Sequence, residues 1–116
     1  MNDKSFLDLG VSEATLKALD KKGFTFVIPP YMIRSSVVDG VMSFAEMEGM
    51  MYKIEGEDLY LIGTSEHSMI GKFKDTILEE KDLPYTYTSY SPCFRKEKGA
   101  HGIEERGVYR IHQFEK

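Results

Sequence analysis

The sequence predicts an α+β fold, an antiparallel β-sheet flanked by helices, on three observations. Two runs rich in aromatic and β-branched residues, 85–94 (YTYTSYSPCF) and 108–114 (VYRIHQF), are separated by a polar stretch carrying Gly99, Gly102 and Gly107. Ser12 stands before a segment in which Ala14, Leu16, Ala18 and Leu19 supply apolar positions and Gly23 supplies a stop, the marks of a capped helix. A second helical segment, 66–78, follows the short apolar run 59–62.

Taken in chain order, the first helix spans 12–22 and feeds a strand over 25–28, which the pair Pro29-Pro30 terminates. Short helical turns are expected over 35–48. The methionines of 41–51 (VMSFAEMEGMM), broken by acidic residues, read as packing rather than as a cofactor box. Strands over 51–54 and 59–62 are joined by the hairpin-like turn 53–59, and the helix 66–78 is followed by a charged surface loop, 79–84. The two aromatic runs then close the chain as an antiparallel hairpin with a long polar loop.

Composition bounds the function. With 116 residues, 41% hydrophobic and 29% charged, the chain forms one small domain, 1–116, with a single core. A net charge of -4 argues against indiscriminate nucleic-acid binding, so any RNA contact must use a local patch such as Arg95-Lys96-Lys98 or Arg106-Arg110. Cys93 is the single cysteine, which excludes an intrachain disulfide and a cysteine-rich zinc site and suits a reducing cytoplasm. His67, His101 and His112 have no metal-like spacing; the first two are expected to face solvent or bond locally, and His112 to sit in a strand. No run approaches the ~18 apolar residues of a membrane span. Residues 1–5 lack the features of a signal peptide, so the expected setting is cytoplasmic with no membrane partner.

The chemistry lies at the ends of the two aromatic runs. Side chains alternate faces along a strand, so an extended 94–97 places Arg95 and Glu97 on one side, and 110–114 places Arg110, His112 and Phe114 on one side. A guanidinium offers a planar fork that grips carboxylate or phosphate, whereas lysine offers a point charge. Arg95 is therefore the candidate to bridge a carboxylate and a phosphate, while Phe114 offers a flat surface for a purine and Glu97 an acceptor for its exocyclic amine. Taken singly, Arg-x-Glu is more often a solvated ion pair, and 110–114 an ordinary amphipathic strand. Their joint spacing carries the weight.

That spacing, Tyr90-Ser91-Pro92-Cys93-Phe94-Arg95-Lys96-Glu97 through Gly107-Val108-Tyr109-Arg110-Ile111-His112-Gln113-Phe114-Glu115-Lys116, resembles motif 2 of the class II aminoacyl-tRNA synthetases, and more narrowly the seryl-tRNA synthetase family. The resemblance implies a partial class II catalytic domain. It implies that Arg95 contacts the α-phosphate and the amino-acid carboxylate, that Glu97 and Phe114 hold adenine, that Arg110 reaches the triphosphate, and that Lys96 and Ile111 complete the ATP contacts. The loop 98–106 is implied to approach the tRNA acceptor end.

Leu59-Tyr60-Leu61-Ile62-Gly63-Thr64-Ser65-Glu66 resembles the family's Thr-x-Glu loop, which implies that Thr64, Ser65 and Glu66, with Arg95, hold the serine substrate. Read without the family, Thr64 or Ser65 with Glu66 can equally cap and charge the first turn of a helix. Lys22-Gly23-Phe24-Thr25-Phe26-Val27-Ile28-Pro29-Pro30 resembles the end of motif 1, with Pro30 in the place of the interface proline, and implies a homodimer in the intact family. Three positions depart from the pattern: Gly63 and Ser68 stand where proline is usual, and Ile103 where a basic residue is usual.

The resemblance implies ATP-dependent activation of serine to seryl-adenylate, with Mg2+, and transfer to tRNA(Ser). The next serine-binding glutamate and motif 3 lie past Lys116 in the family, so the chain on its own is expected to be inactive or weak. Two other functions stay open: a non-catalytic RNA-binding or dimerisation module, and a class II paralogue that charges a carrier protein.

Overall fold

The computed structural model describes residues 11–96 and 111–116, and within them four short α-helices, with a 3-10 turn at Glu80–Asp82, accompany three two-stranded ladders. Helix α1 (Glu13–Lys21) is set by local chemistry: the Ser12 hydroxyl accepts from the Thr15 N–H at 3.1 Å, and Glu13 pairs with Lys17 at 2.7 Å. It stops where Gly23 takes φ +76° and the Phe24 N–H returns to the Leu19 carbonyl at 3.0 Å.

Strand β1 (Thr25–Val27) pairs in parallel with β4 (Tyr87–Ser89), an exception to the antiparallel pairing elsewhere; β2 (Met32–Ile33) pairs antiparallel with β3 (Tyr60–Leu61), and β5 (Pro92–Phe94) antiparallel with β6 (Gln113–Glu115). The last two ladders are stitched together by backbone, since the Phe94 N–H donates to the Ile62 carbonyl at 2.8 Å. That bond sets Gly63 and Thr64, leaving β3, beside Arg95, leaving β5.

Between β2 and β3 lie α2 (Ser35–Val38) and α3 (Phe44–Met50). Helix α3 opens with a reciprocal capping box in which the Glu46 N–H donates to the Ser43 hydroxyl and the Ser43 N–H to the Glu46 carboxylate. The core is Ile33, Val38, Met47, Met51, Tyr60 and Ile62, with Val37 and Met42 packed against it. The expectation that methionines of 41–51 pack holds for Met42, Met47 and Met51, whereas Met50 is exposed.

Three expected elements are shorter than the sequence suggests. The strand over 51–54 reduces to one bridge, Lys53 with Tyr60, beside the Ile54-to-Leu59 bond. Helix α4 is Ser65–Gly71, not 66–78. At Gly71 the backbone comes so close to Val37 that a Cβ would overlap the valine methyl, and four residues later Asp75 takes a left-handed φ of 56°. Past the end of α4, Ile77 is exposed, while Phe73 packs on the Tyr85 and Tyr87 rings. The run 85–94 is two strands, β4 and β5, because Pro92 has no N–H for a continuing ladder and the two halves pair with different partners.

Candidate functional site

Arg95 follows β5 directly, and two hydrogen bonds and a ring contact place it. Its N–H donates to the His112 carbonyl at 3.0 Å, its Nε donates to the Gly63 carbonyl at 2.9 Å, and its guanidinium carbon lies 5.1 Å from the centroid of the Phe114 ring. The ring comes from β6, whose register sets Phe114 opposite Cys93. A half-buried arginine is thus held through Nε by a carbonyl and lies over an aromatic ring, which combines hydrogen bonding with cation–π attraction. Gly63 leaves ordinary contact room for this arrangement: a Cβ there would lie 3.8 Å from Arg95 Cγ.

Across Gly63 stands a second polar group. The Thr64 hydroxyl donates to the Glu66 carboxylate, and the Lys116 ammonium donates to Thr64 Oγ1 at 2.8 Å, to Glu66 Oε1 at 2.8 Å and to Glu66 Oε2 at 3.0 Å. Thr64 occupies the N-cap position of α4, yet its side chain makes no capping bond, so of the two readings of this loop the simple cap is not what the hydroxyl does. The hydrogen bond from Lys116 holds the Glu66 carboxyl below its ordinary range, against a smaller opposing push from burial.

Beneath this surface the loop is tied to the core. The Ser65 hydroxyl is buried and bonds the buried Ser91 hydroxyl at 2.6 Å, and Ser68 Oγ donates to the Pro30 carbonyl at 2.7 Å, a bond that proline could not make. His67, expected to face solvent or bond locally, is 5% exposed, and its Nδ1 is buried with no hydrogen-bond partner among the described residues. Burial lowers its pKa, which Glu66 opposes and Arg95 reinforces. His67, Thr64 and Arg95 border a cavity of about 90 Å³ with Met42, Met50 and Met51.

The structure therefore brings together Arg95, Phe114, Thr64 and Glu66. Lys96 turns instead to the end of α3, where its ammonium donates to the Glu48 carbonyl at 3.1 Å and its N–H to the Met50 carbonyl at 2.9 Å. Ile111 is exposed, and the Ser65 hydroxyl is engaged with Ser91. His112 lies just before β6 rather than within it and bonds the Tyr52 hydroxyl through Nδ1 at 2.6 Å. Glu97, Arg110 and the loop 98–106 lie outside the described residues. Lys116 was missed by sequence reasoning, although strand alternation carried two residues past Phe114 points to it.

On the far side of Glu66 and Lys116 a cleft of about 610 Å³ is walled by Met69, Phe73, Tyr85 and Tyr87. The Tyr85 and Tyr87 rings are nearly parallel with centroids 6.1 Å apart, and Lys72 lies 4.5 Å from the Tyr87 centroid.

A guanidinium beside an aromatic ring and a Thr–Glu pair, carried on β-strands with helices beside them, accords with the resemblance to a class II synthetase core. Residues 50–116 match the family model of the tRNA synthetase class II core domain (G, H, P, S and T), and the chain belongs to that family. Within it, the whole chain is 51% identical over 116 residues to the serine–tRNA ligase of Thermococcus onnurineus. Among the solved structures it is similar to are two of seryl enzymes. One is the Pyrococcus horikoshii seryl-tRNA synthetase complexed with ATP, at TM-score 0.79 and 51% identity, covering 95% of this chain and 25% of that one. The other is the Naegleria fowleri cytoplasmic serine-tRNA ligase in complex with AMP, at TM-score 0.72 and 37% identity, covering 87% of this chain and 24% of that one. The chain spans about a quarter of the length of the curated relatives it matches.

Proposed function

We propose that this chain carries the nucleotide and amino-acid contacts of a serine–tRNA ligase, which condenses serine with ATP to seryl-adenylate and pyrophosphate and then transfers seryl to tRNA(Ser). The observation that carries the reading is Arg95, bonded to the Gly63 carbonyl beside Thr64 and lying over the Phe114 ring, so that one guanidinium joins the two halves of the reaction.

In this reading the Arg95 fork neutralises the serine carboxylate and the α-phosphate together, which brings the attacking oxygen in line with phosphorus while the charge of both is balanced. Phe114, with Glu97, receives adenine. Arg110 meets the triphosphate and steadies the departing pyrophosphate. Glu66 and Thr64 take the serine ammonium, with Ser65 holding their loop to the core through Ser91. No proton transfer by a side chain is required, because positioning and charge compensation carry the step.

Magnesium accompanies ATP in this reaction class. Among the described residues no group of three His, Cys, Asp or Glu side chains is placed to hold a metal ion. The reading places the intact protein in the cytoplasm as a homodimer joined near Pro30; no helix among the described residues is long and apolar enough to cross a membrane.

Binding of non-hydrolysable aminoacyl-adenylate analogues tests the substrate. The seryl analogue should bind in preference to the threonyl, alanyl and glycyl analogues. Equal binding of all four removes the serine assignment and favours a class II paralogue with another amino acid or a carrier-protein acceptor.

A further inference from the structure

The Thr64–Glu66 pair already holds an ammonium. Lys116 Nζ lies 2.8 Å from Thr64 Oγ1, 2.8 Å from Glu66 Oε1 and 3.0 Å from Glu66 Oε2, the same three atoms that the proposed function gives to the serine ammonium. An ammonium has three donors and no acceptor, so a lysine and an α-ammonium make interchangeable demands on this pocket. With one carboxylate and one cation the group is neutral, and a second ammonium gains little from it while the first stays in place.

The base of Lys116 is fixed and its tip is not. Its N–H donates to the Ser91 carbonyl at 2.9 Å and its carbonyl accepts from the Ser91 N–H at 3.0 Å, which locks the backbone at the end of β6. The four-carbon stem above that anchor turns freely about its single bonds. Side-chain exposures of 46% for Lys116 and 57% for Glu66 put the pair among ion pairs that a competing ligand exchanges at small cost.

We propose that Lys116 is a tethered stand-in for the substrate ammonium: it holds the Glu66 carboxylate in place, and every amino-acid ligand must evict it. The inference rests on the amino-acid assignment above and deepens it. Eviction makes a quantitative demand, because any ligand that uses the ammonium position pays the same exchange, whatever else it carries. A carboxylate that reaches Arg95 adds affinity but does not alter that factor.

Calorimetric titration of the full chain with serine and with serine methyl ester tests this, the ester keeping the ammonium and hydroxyl without the carboxylate charge. Lys116→Met should tighten both ligands by the same factor, about two- to fivefold, the range an exposed ion pair supplies. Lys116→Arg, which keeps the charge, should stay within twofold of the parent, and thermal melts establish that each variant is folded. Weaker serine binding by Lys116→Met, or a gain for serine alone, overturns the stand-in, since Lys116 would then be orienting Glu66 or touching the carboxylate. Glu66→Gln separates the two levels of the argument: it should abolish binding of both ligands, whereas undiminished serine binding, or no serine binding by any form, overturns the amino-acid assignment and the stand-in with it.

Discussion

The Arg95 guanidinium lies over the Phe114 ring at 5.1 Å from its centroid while its Nε holds the Gly63 carbonyl at 2.9 Å, so one side chain connects a loop and a strand whose contact residues are 51 positions apart in sequence. Phe114 is half-buried and makes this contact from β6, so its removal leaves the core residues untouched. Phe114→Ala is expected to weaken binding of a seryl-adenylate analogue by about 1–3 kcal/mol, the scale of one aromatic–base stack, with Phe114→Tyr retaining most of it. Titration calorimetry of the two variants checks the difference.

Gly71 is a packing position. A Cβ there meets the Val37 methyl, and a β-branched neighbour has one favoured rotamer and little room to yield. Alanine's better helix propensity is worth at most about 1 kcal/mol. Gly71→Ala should therefore lower unfolding stability by about 1–2 kcal/mol net, on the scale of overpacking. Adding Val37→Ala should recover part of the loss in urea denaturation, a coupling that two independent sites would not give.

The Ser65–Ser91 bond ties the Thr-x-Glu loop to β5 inside the protein. Either serine replaced by alanine leaves a buried hydroxyl short of a partner, at a cost of about 1–3 kcal/mol. Replacing both removes the unmet group as well as the bond. The double variant should be less destabilised than the sum of the singles when the three unfolding curves are compared.

His67 gives the fold a pH dependence with a definite sign. Burial lowers its pKa in the native state, so the unfolded chain binds more protons between the lowered value and the ordinary one near 6.5. Stability from this residue is complete above that ordinary value and is lost as pH falls through the native one. Denaturation midpoints for the parent chain should drop across that window by more than those of His67→Gln, which does not titrate.

Much of this was legible from local sequence, and the failures share a cause. Ser12 and Gly23 announce α1 because cap and stop act within one turn of the chain. Arg95, Thr64, Glu66 and Phe114 were legible through family spacing, and the fold places them side by side. The helix after Glu66 was overextended because its end depends on Gly71 meeting Val37, 34 positions away. The split of 85–94 depends on which partner each half finds, β1 or β6. Burial of His67 is a property of packing that no periodicity encodes, and Lys116 becomes meaningful only when β6 delivers it to Glu66.

Isothermal titration of the chain with a non-hydrolysable seryl-adenylate analogue, alongside its Arg95→Ala variant, tests the central claim most directly. The account predicts saturable binding by the parent and its loss in a variant that remains folded by circular dichroism. Equal binding by both forms would contradict it, because the guanidinium between Gly63 and Phe114 would then not be what joins the amino-acid and nucleotide halves of the site.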